Sequence, residues 1–478
     1  MRFMKNIIEL LHQNYIEHPD RIALTDSSRQ ITYEDLFFEV IKKASYFLDK
    51  NIIHQPIIVK VNRSIGSLIS FFAILLSNNY YVPVDENIPL EKLNKIINIS
   101  KAQYYISFIE DELSVTKIDF ETSDTVYDFS RFENDFNENN NSYLMFTSGS
   151  TGEPKGVIKT HKNIISFVNN FAETFPFLKD ERMANQTPFY FDASMKDIFL
   201  MLKLGATLFI PEKVTFSLPF ETIKYLNENQ ITYLCWVPSI LTMIAKTRTL
   251  SYVKPTYLKY VFFVGEVFQP KYLNMWVEAL PEVRYFNIYG STEVMGVALY
   301  YEIKGLFNKE VVPTGKPIAN NKVYLENEEI VICSEQVAKG YINVDNQKTF
   351  RINADNKQEL KTGDYATYDE EGNIVFLSRK DFQIKHLGYR IELQEIEASL
   401  INIPYISDCC AIYDEQKDII VLYATLNEEL ENPKKQILND AKDKLQFYMM
   451  PNKVIILDEM PLNDNGKVDR QKLKQGIN

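Results

Sequence analysis

Between Tyr143 and Gly156 the chain reads Tyr-Leu-Met-Phe-Thr-Ser-Gly-Ser-Thr-Gly-Glu-Pro-Lys-Gly. An apolar run, Tyr143 to Phe146, leads into Thr147, Ser148, Gly149, Ser150, Thr151 and Gly152, and Lys155 follows behind the rigid Pro154. Closely spaced backbone N–H groups, hydroxyl donors and one cation are what the oxygens of a polyphosphate need. The order GxxxxGK[ST] is absent, so this is not a Walker A loop. A plain Ser/Gly linker would rarely be fed by a strand and closed by Pro-Lys-Gly.

Three more segments carry groups suited to a nucleotide. Asn287-Ile-Tyr-Gly-Ser-Thr-Glu293 follows another strand-like run, and Lys361-Thr-Gly-Asp364 presents an acid of the kind that accepts ribose hydroxyls. In Pro461-Leu-Asn-Asp-Asn-Gly-Lys467-Val-Asp-Arg470, the pair Asn465-Gly466 is a tight-turn signal that would thrust Lys467 outward. With TSGSTGEPKG, these segments resemble in order the motifs of the adenylate-forming superfamily. That superfamily comprises acyl-CoA synthetases, luciferases and the adenylation domains of non-ribosomal peptide synthetases. Within it the chain is most similar to stand-alone amino-acid:carrier-protein ligases, which include D-alanine ligases.

The resemblance implies a reaction in which a carboxylate attacks the α-phosphate of ATP and diphosphate leaves. Two anions must meet, so the protein's task is positioning and electrostatic stabilisation. Thr147, Ser148, Gly149, Ser150, Thr151, Gly152 and Lys155 would hold phosphates. Asn287, Ile288, Tyr289, Gly290, Ser291 and Thr292 would bind the nucleotide, with Tyr289 stacked on adenine and Thr292 on the α-phosphate. Glu293 would carry Mg²⁺, and Asp364 and Arg379 would contact ribose. Asp381 is the hinge candidate, and Lys467 the catalytic lysine beside Thr292 and Glu293. Ser291 stands where the family has proline, Leu360-Lys361 where it has Tyr-Arg, and Ser378 where it has glycine.

Phe191-Asp-Ala-Ser194 resembles the substrate motif of amino-acid-activating members, in which Asp192 pairs with the α-ammonium group. The carried-over pocket is Asp192, Ala193, Lys196, Cys235, Phe262, Val264, Ile288, Gly296 and Val297. Lys196 leaves two readings open. A cation in an apolar pocket points to an acidic substrate side chain; equally, Lys196 lies four residues after Asp192 on one helix face and pairs with it. The implied activity is ATP- and Mg²⁺-dependent activation of an amino acid, an acidic one on the first reading. Transfer to the phosphopantetheine thiol of a separate carrier protein follows, since no carrier domain is seen. The alternatives are a ligase for D-alanine or another small neutral amino acid, and an acyl- or aryl-CoA ligase, against which Asp192 counts.

The elements that must position these groups follow from periodicity. Up to about residue 370, strand-like and helix-like runs alternate. They include Pro56–Val61, Ser64–Ser77, Tyr80–Val84, Asp192–Leu204, Ala206–Ile210, Phe220–Asn229, Ile231–Val237, Leu258–Val264 and Arg284–Tyr289, and Thr32-x-x-Asp35 reads as a capping box. Continuous apolar strands between helices predict an α/β fold with mostly parallel sheets covered on both faces. Ligands of such sheets bind at the carboxyl ends of strands, where Thr147 and Tyr289 fall. Past Arg379 the pattern restarts: Leu393, Ile396, Leu400 and Ile403 mark one helix face, and strands are expected at Cys410–Tyr413, Ile419–Ala424 and Lys453–Leu457. The expected domains are residues 1–378, an ATP- and amino-acid-binding core, and 379–478, a small mobile α+β lid with Lys467.

Bulk properties bound the partners. A net charge of −12 argues against nucleic acid. The four cysteines have neither metal nor disulfide spacing, and Cys409-Cys410 read as buried thiols. The N-terminus lacks the features of a signal peptide, and the apolar stretch Ile65–Leu76 falls short of the ~20 residues that span a bilayer. A cytoplasmic protein without a membrane partner is expected.

Overall fold

Runs such as Pro-Ile-Ile-Val-Lys-Val and Tyr-Val-Phe-Phe-Val have apolar side chains on both faces, and each becomes an almost wholly buried strand. The structure, a computed structural model, describes residues 4–109, 113–118, 120, 128–147, 153–379, 383–415, 417–461 and 468–476. The chain divides into two compact units. One comprises Met1–Glu86, Ile97–Met145 and Gly156–Ser378; the other comprises Asn87–Ile96, Phe146–Lys155 and Arg379–Asn478.

Among the described residues the strands form five sheets. In a seven-stranded sheet, Asn141–Thr147 neighbours Tyr80–Asp85 on one side and Lys155–Thr160 on the other. In a nine-stranded sheet, Arg182–Ala184, Tyr233–Trp236, Tyr260–Val264 and Arg284–Tyr289 run parallel in succession, and Leu299–Ile303 follows antiparallel. The helix Ile65–Leu76 is buried almost throughout. It shares one apolar core with Tyr143, Phe167, Phe199, Phe262 and Ile288. The Thr32–Asp35 capping box is present in both directions, at 3.1 Å each way.

The strand–helix alternation stops earlier than the sequence reading had it. From Leu299 to Arg379 every described regular element is a strand. Lys322–Glu326, Glu329–Cys333 and Gln358–Tyr368 pair antiparallel in a five-stranded sheet. Its first hairpin turns through Asn327 and Glu328, both at positive φ (51° and 65°), which matches the twist of a two-residue hairpin loop.

In the second unit, Gln383–His386 and Tyr389–Glu392 form a hairpin through Leu387 and Gly388, again both at positive φ. The helix Leu393–Leu400 follows. The strands Ile406–Asp414, Ile419–Leu426 and Lys453–Ile456 make a three-stranded sheet. Cys409 and Cys410 are buried there as free thiols. No helix among the described residues is long and apolar enough to cross a membrane.

Candidate active site

Asp192 opens the helix Asp192–Leu204, where an acidic side chain complements the helix dipole. It is 8% exposed, and the Tyr143 hydroxyl donates to its Oδ1 at 2.7 Å. Burial pushes its carboxyl up to about 6; Lys159, the Tyr143 hydrogen bond and Lys196 pull it down, and Glu293 adds to the rise. A buried carboxylate with this balance is short of positive charge, which an α-ammonium group would supply.

The remaining residues of the expected pocket lie in or next to apolar strands and turns of the first unit. Cys235 lies opposite Phe262 and Val264 opposite Ile288 on neighbouring parallel strands. Together with Val297 they belong to the core that holds Tyr143. Burial pushes the Cys235 thiol up to about 12, against the pull of Lys196. Gly296 has φ +70°, and a Cβ there would lie 2.4 Å from the Phe167 ring. A Cβ on Gly290 would lie 2.2 Å from the Gly296 carbonyl oxygen. The turn after strand Arg284–Tyr289 therefore closes only with glycine at both places. Gly296→Ala is expected to cost about 2–3 kcal/mol of stability, from overpacking and the left-handed backbone, measurable by denaturant unfolding.

Lys196 is 2% exposed, and its Nζ donates to the Ala193 carbonyl. Burial works against its charge, yet Cys235, Asp197 and Asp192 more than compensate and raise it above the ordinary lysine value. Asp197, also buried, is pushed up to about 6 by burial against the pull of Lys196, and Asn185 donates to it at 3.2 Å. The cation thus bonds a carbonyl of its own protein and feels the charge of two of its acids. Pairing with Asp192 alone describes it incompletely.

Among the residues that the resemblance assigns to the nucleotide, the Tyr289 hydroxyl bonds to the Asp364 carboxylate, joining two motifs that lie 75 positions apart. Tyr289 ends the strand Arg284–Tyr289, and Asp364 lies within Gln358–Tyr368. The Asn287 side chain donates to the Pro313 carbonyl at 2.8 Å. Ser291 and Thr292 follow in the turn, part-exposed. Glu293 is 3% exposed and accepts from the Tyr341 hydroxyl at 2.8 Å. Among the described residues no cluster of three metal-ligating side chains occurs. One carboxylate suits Mg²⁺, which takes one or two carboxylates and completes its shell with water and phosphate oxygens.

In the second unit, Thr147 ends its strand and Lys155 pairs with Glu392 at 3.0 Å. Arg379 ends the strand Ile374–Arg379. Ser148, Gly149, Ser150, Thr151, Gly152, Asp381 and Lys467 lie outside the described residues. The stems of the Lys467 segment are joined: the Asp469 amide donates to the Pro461 carbonyl at 2.7 Å. Arg470 grips both Glu397 oxygens at 2.6 Å and the Ala411 carbonyl at 2.9 Å.

Sequence reasoning missed Tyr143 as the donor to Asp192, Tyr341 as the donor to Glu293, and Lys159. Only Lys159 left a signal, as a charge inside the apolar run Val157-Ile-Lys-Thr160.

An α/β core with a buried acid at a helix start, and a strand-end turn carrying tyrosine, threonine and glutamate, describes an adenylate-forming ligase. Residues 11–351 match the family model for AMP-binding enzyme and residues 395–467 that for the AMP-binding enzyme C-terminal domain; the chain belongs to this family. It is 31% identical to a D-alanine–D-alanyl carrier protein ligase of Bacillus licheniformis, covering 98% of this chain and 99% of that one. Gramicidin S synthase 1 of Brevibacillus brevis is 28% identical over 98% of this chain, which spans only 44% of the synthase. Among solved structures, the Vibrio cholerae adenylation domain AlmE, in complex with glycyl-adenosine-5'-phosphate, superposes with a TM-score of 0.84 at 18% identity. That match covers 100% of this chain and 98% of AlmE.

Proposed function

We propose that this chain activates a small neutral amino acid, of the size of alanine, as its aminoacyl-AMP and passes it to the phosphopantetheine thiol of a separate carrier protein in the cytoplasm. The observation that carries the reading is the buried carboxylate of Asp192, hydrogen-bonded by Tyr143 and short of positive charge. The relatives that this chain spans end to end, D-alanine–D-alanyl carrier protein ligases, support the substrate class and the acceptor. An acidic substrate loses its footing because Lys196 is buried, donates to the Ala193 carbonyl and already feels the charges of Asp197 and Asp192.

In this reading Asp192 orients the α-ammonium, and Cys235, Phe262, Val264, Ile288, Ala193, Gly296 and Val297 bound the side chain. Asn287, Tyr289, Asp364 and Arg379 hold the adenosine, while Thr147 to Gly152 and Lys155 hold phosphates. Thr292 and Lys467 stabilise the charge that develops on the α-phosphate. Glu293 holds Mg²⁺, which when bound neutralises phosphate charge. Residues 379–478 act as a lid turning about Asp381 between the two half-reactions.

The test is ATP–diphosphate exchange with a panel of amino acids, both enantiomers of each, beside fatty and aryl acids. Alanine or a close neighbour is expected to lead; a lead by an aryl or fatty acid would reject the proposal. A paired prediction concerns Lys196→Met, which keeps the stem and removes the charge. The ratio of glutamate to leucine exchange should stay within a factor of about three, because the charge serves the protein's own acids rather than a substrate carboxylate. A fall of roughly 10²–10³ in that ratio would restore the acidic substrate.

A further inference from the structure

Lys159 lies in the strand Lys155–Thr160 with 0% exposure, and its Nζ has no hydrogen-bond partner. An ammonium group has three donors, and burying it unbonded is costly. The charges that act on it are Asp192 and Glu293, and among cations Lys159 has the largest influence on Asp192.

Two roles can be weighed: contact with the substrate, or action through a neighbour. Exposure decides between them. Asp192 presents 8% of its surface, whereas Lys159 presents none, so a ligand reaches the acid and not the lysine. Lys159 also makes no hydrogen bond, so it supplies charge without using a lone pair of Asp192. The Tyr143 hydroxyl bonds Oδ1, and no other hydrogen bond to the Asp192 side chain occurs among the described residues. The other groups that act on Asp192 do not replace this cation. Lys196 is engaged with Ala193 and set beside Asp197, Glu293 has the wrong sign, and Tyr81 and Tyr143 are neutral.

We propose that Lys159 is a positioning residue: a buried counter-cation that keeps Asp192 ionised with one oxygen open, so that the site demands an acid bearing an ammonium group and refuses the same acid without it. This rests on the reading of Asp192 as the ammonium anchor. Burial pushes Lys159 itself down to about 8, Asp192 and Glu293 opposing, so it is still mainly charged at neutral pH.

Lys159→Met keeps the stem and removes the charge. Diphosphate exchange at pH 7 would be run with alanine and with propionate, recording KM for each acid and for ATP. The expected result is a KM for alanine raised about tenfold or more, as an acid loses its neighbouring cation, with KM for ATP within about twofold and the alanine:propionate preference reduced in proportion. An unchanged preference overturns the proposal, since a packing role would leave it alone. Should Lys159→Met fail to fold, the double variant with Asp192→Asn is expected to recover folded protein, because the uncompensated carboxylate is gone. Failure of the double variant as well makes Lys159 a packing residue and overturns the proposal. A wild-type enzyme that activates no ammonium-bearing acid removes both this inference and the functional reading. A wild type that prefers alanine, with a variant that keeps the preference, removes this inference alone.

Discussion

Lys467→Ala is expected to slow aminoacyl-adenylate formation by roughly 10²–10³, equivalent to about 3–4 kcal/mol of transition-state stabilisation. The resemblance makes Lys467 the mobile cation that meets charge building on the α-phosphate. Lysine does this as a point charge, so alanine removes the effect outright. Its segment is anchored at the base. The Asp469–Pro461 hydrogen bond joins the two stems, and the Arg470–Glu397 pair ties the C-terminal stem to the helix Leu393–Leu400. Bidentate geometry makes that pair a specific clamp. Transfer of a preformed aminoacyl adenylate to carrier-bound thiol should change far less, because it is a separate half-reaction that needs another arrangement of the lid. Single-turnover transfer measured beside diphosphate exchange separates the two. Equal losses in both would take Lys467 out of the adenylation step.

The strands and helices that hold this chemistry were legible where one physical signal acted alone. Asp192–Leu204 and Arg284–Tyr289, both read from the alternation of strand-like and helix-like runs, agree with the structure to the residue. Ser64 and Ser77 were read into the helix that they cap, and the structure places them just outside Ile65–Leu76. The antiparallel sheet after Leu299 was not legible. Its strands are short and half-exposed, as in Lys322–Glu326, and its hairpin turns on Asn-Glu rather than the usual Asn-Gly. Motifs pointed to Asp192, Glu293, Tyr289 and Asp364, because the proposed chemistry asks for those residue types. The hydroxyls that orient them, from Tyr143 and Tyr341, come from strands remote in sequence. Tyrosine in a strand is ordinary, so nothing in the sequence marked these two.

Asp192→Asn should be as damaging as the loss of Lys467, but in a different parameter. Asparagine keeps the size and can still accept from the Tyr143 hydroxyl, so the pocket shape survives, and Lys159, held down to about 8 by burial, can give up its proton once the acid is gone. What disappears is the negative charge that meets the α-ammonium. Losing one partner of a buried, hydrogen-bonded charge pair typically costs ~2–5 kcal/mol, so kcat/KM for the amino acid should fall by roughly 30-fold to several thousandfold while KM for ATP holds. The same carboxylate sets a pH limit. Its carboxyl is raised by burial to about 6, so it is charged above that value and neutral below it. In the wild-type enzyme kcat/KM for the amino acid should therefore fall as pH drops through about 6, approaching tenfold per unit. Bound ammonium stabilises the charged form, so the acid limb of kcat should lie lower than that of kcat/KM. In Asp192→Asn the limb near 6 should vanish from the amino-acid profile. The measurement is diphosphate exchange from pH 5 to 8 with both proteins, at saturating ATP. If the asparagine variant keeps both its kcat/KM and its acid limb, the ammonium is read by some other group and the assignment of Asp192 falls.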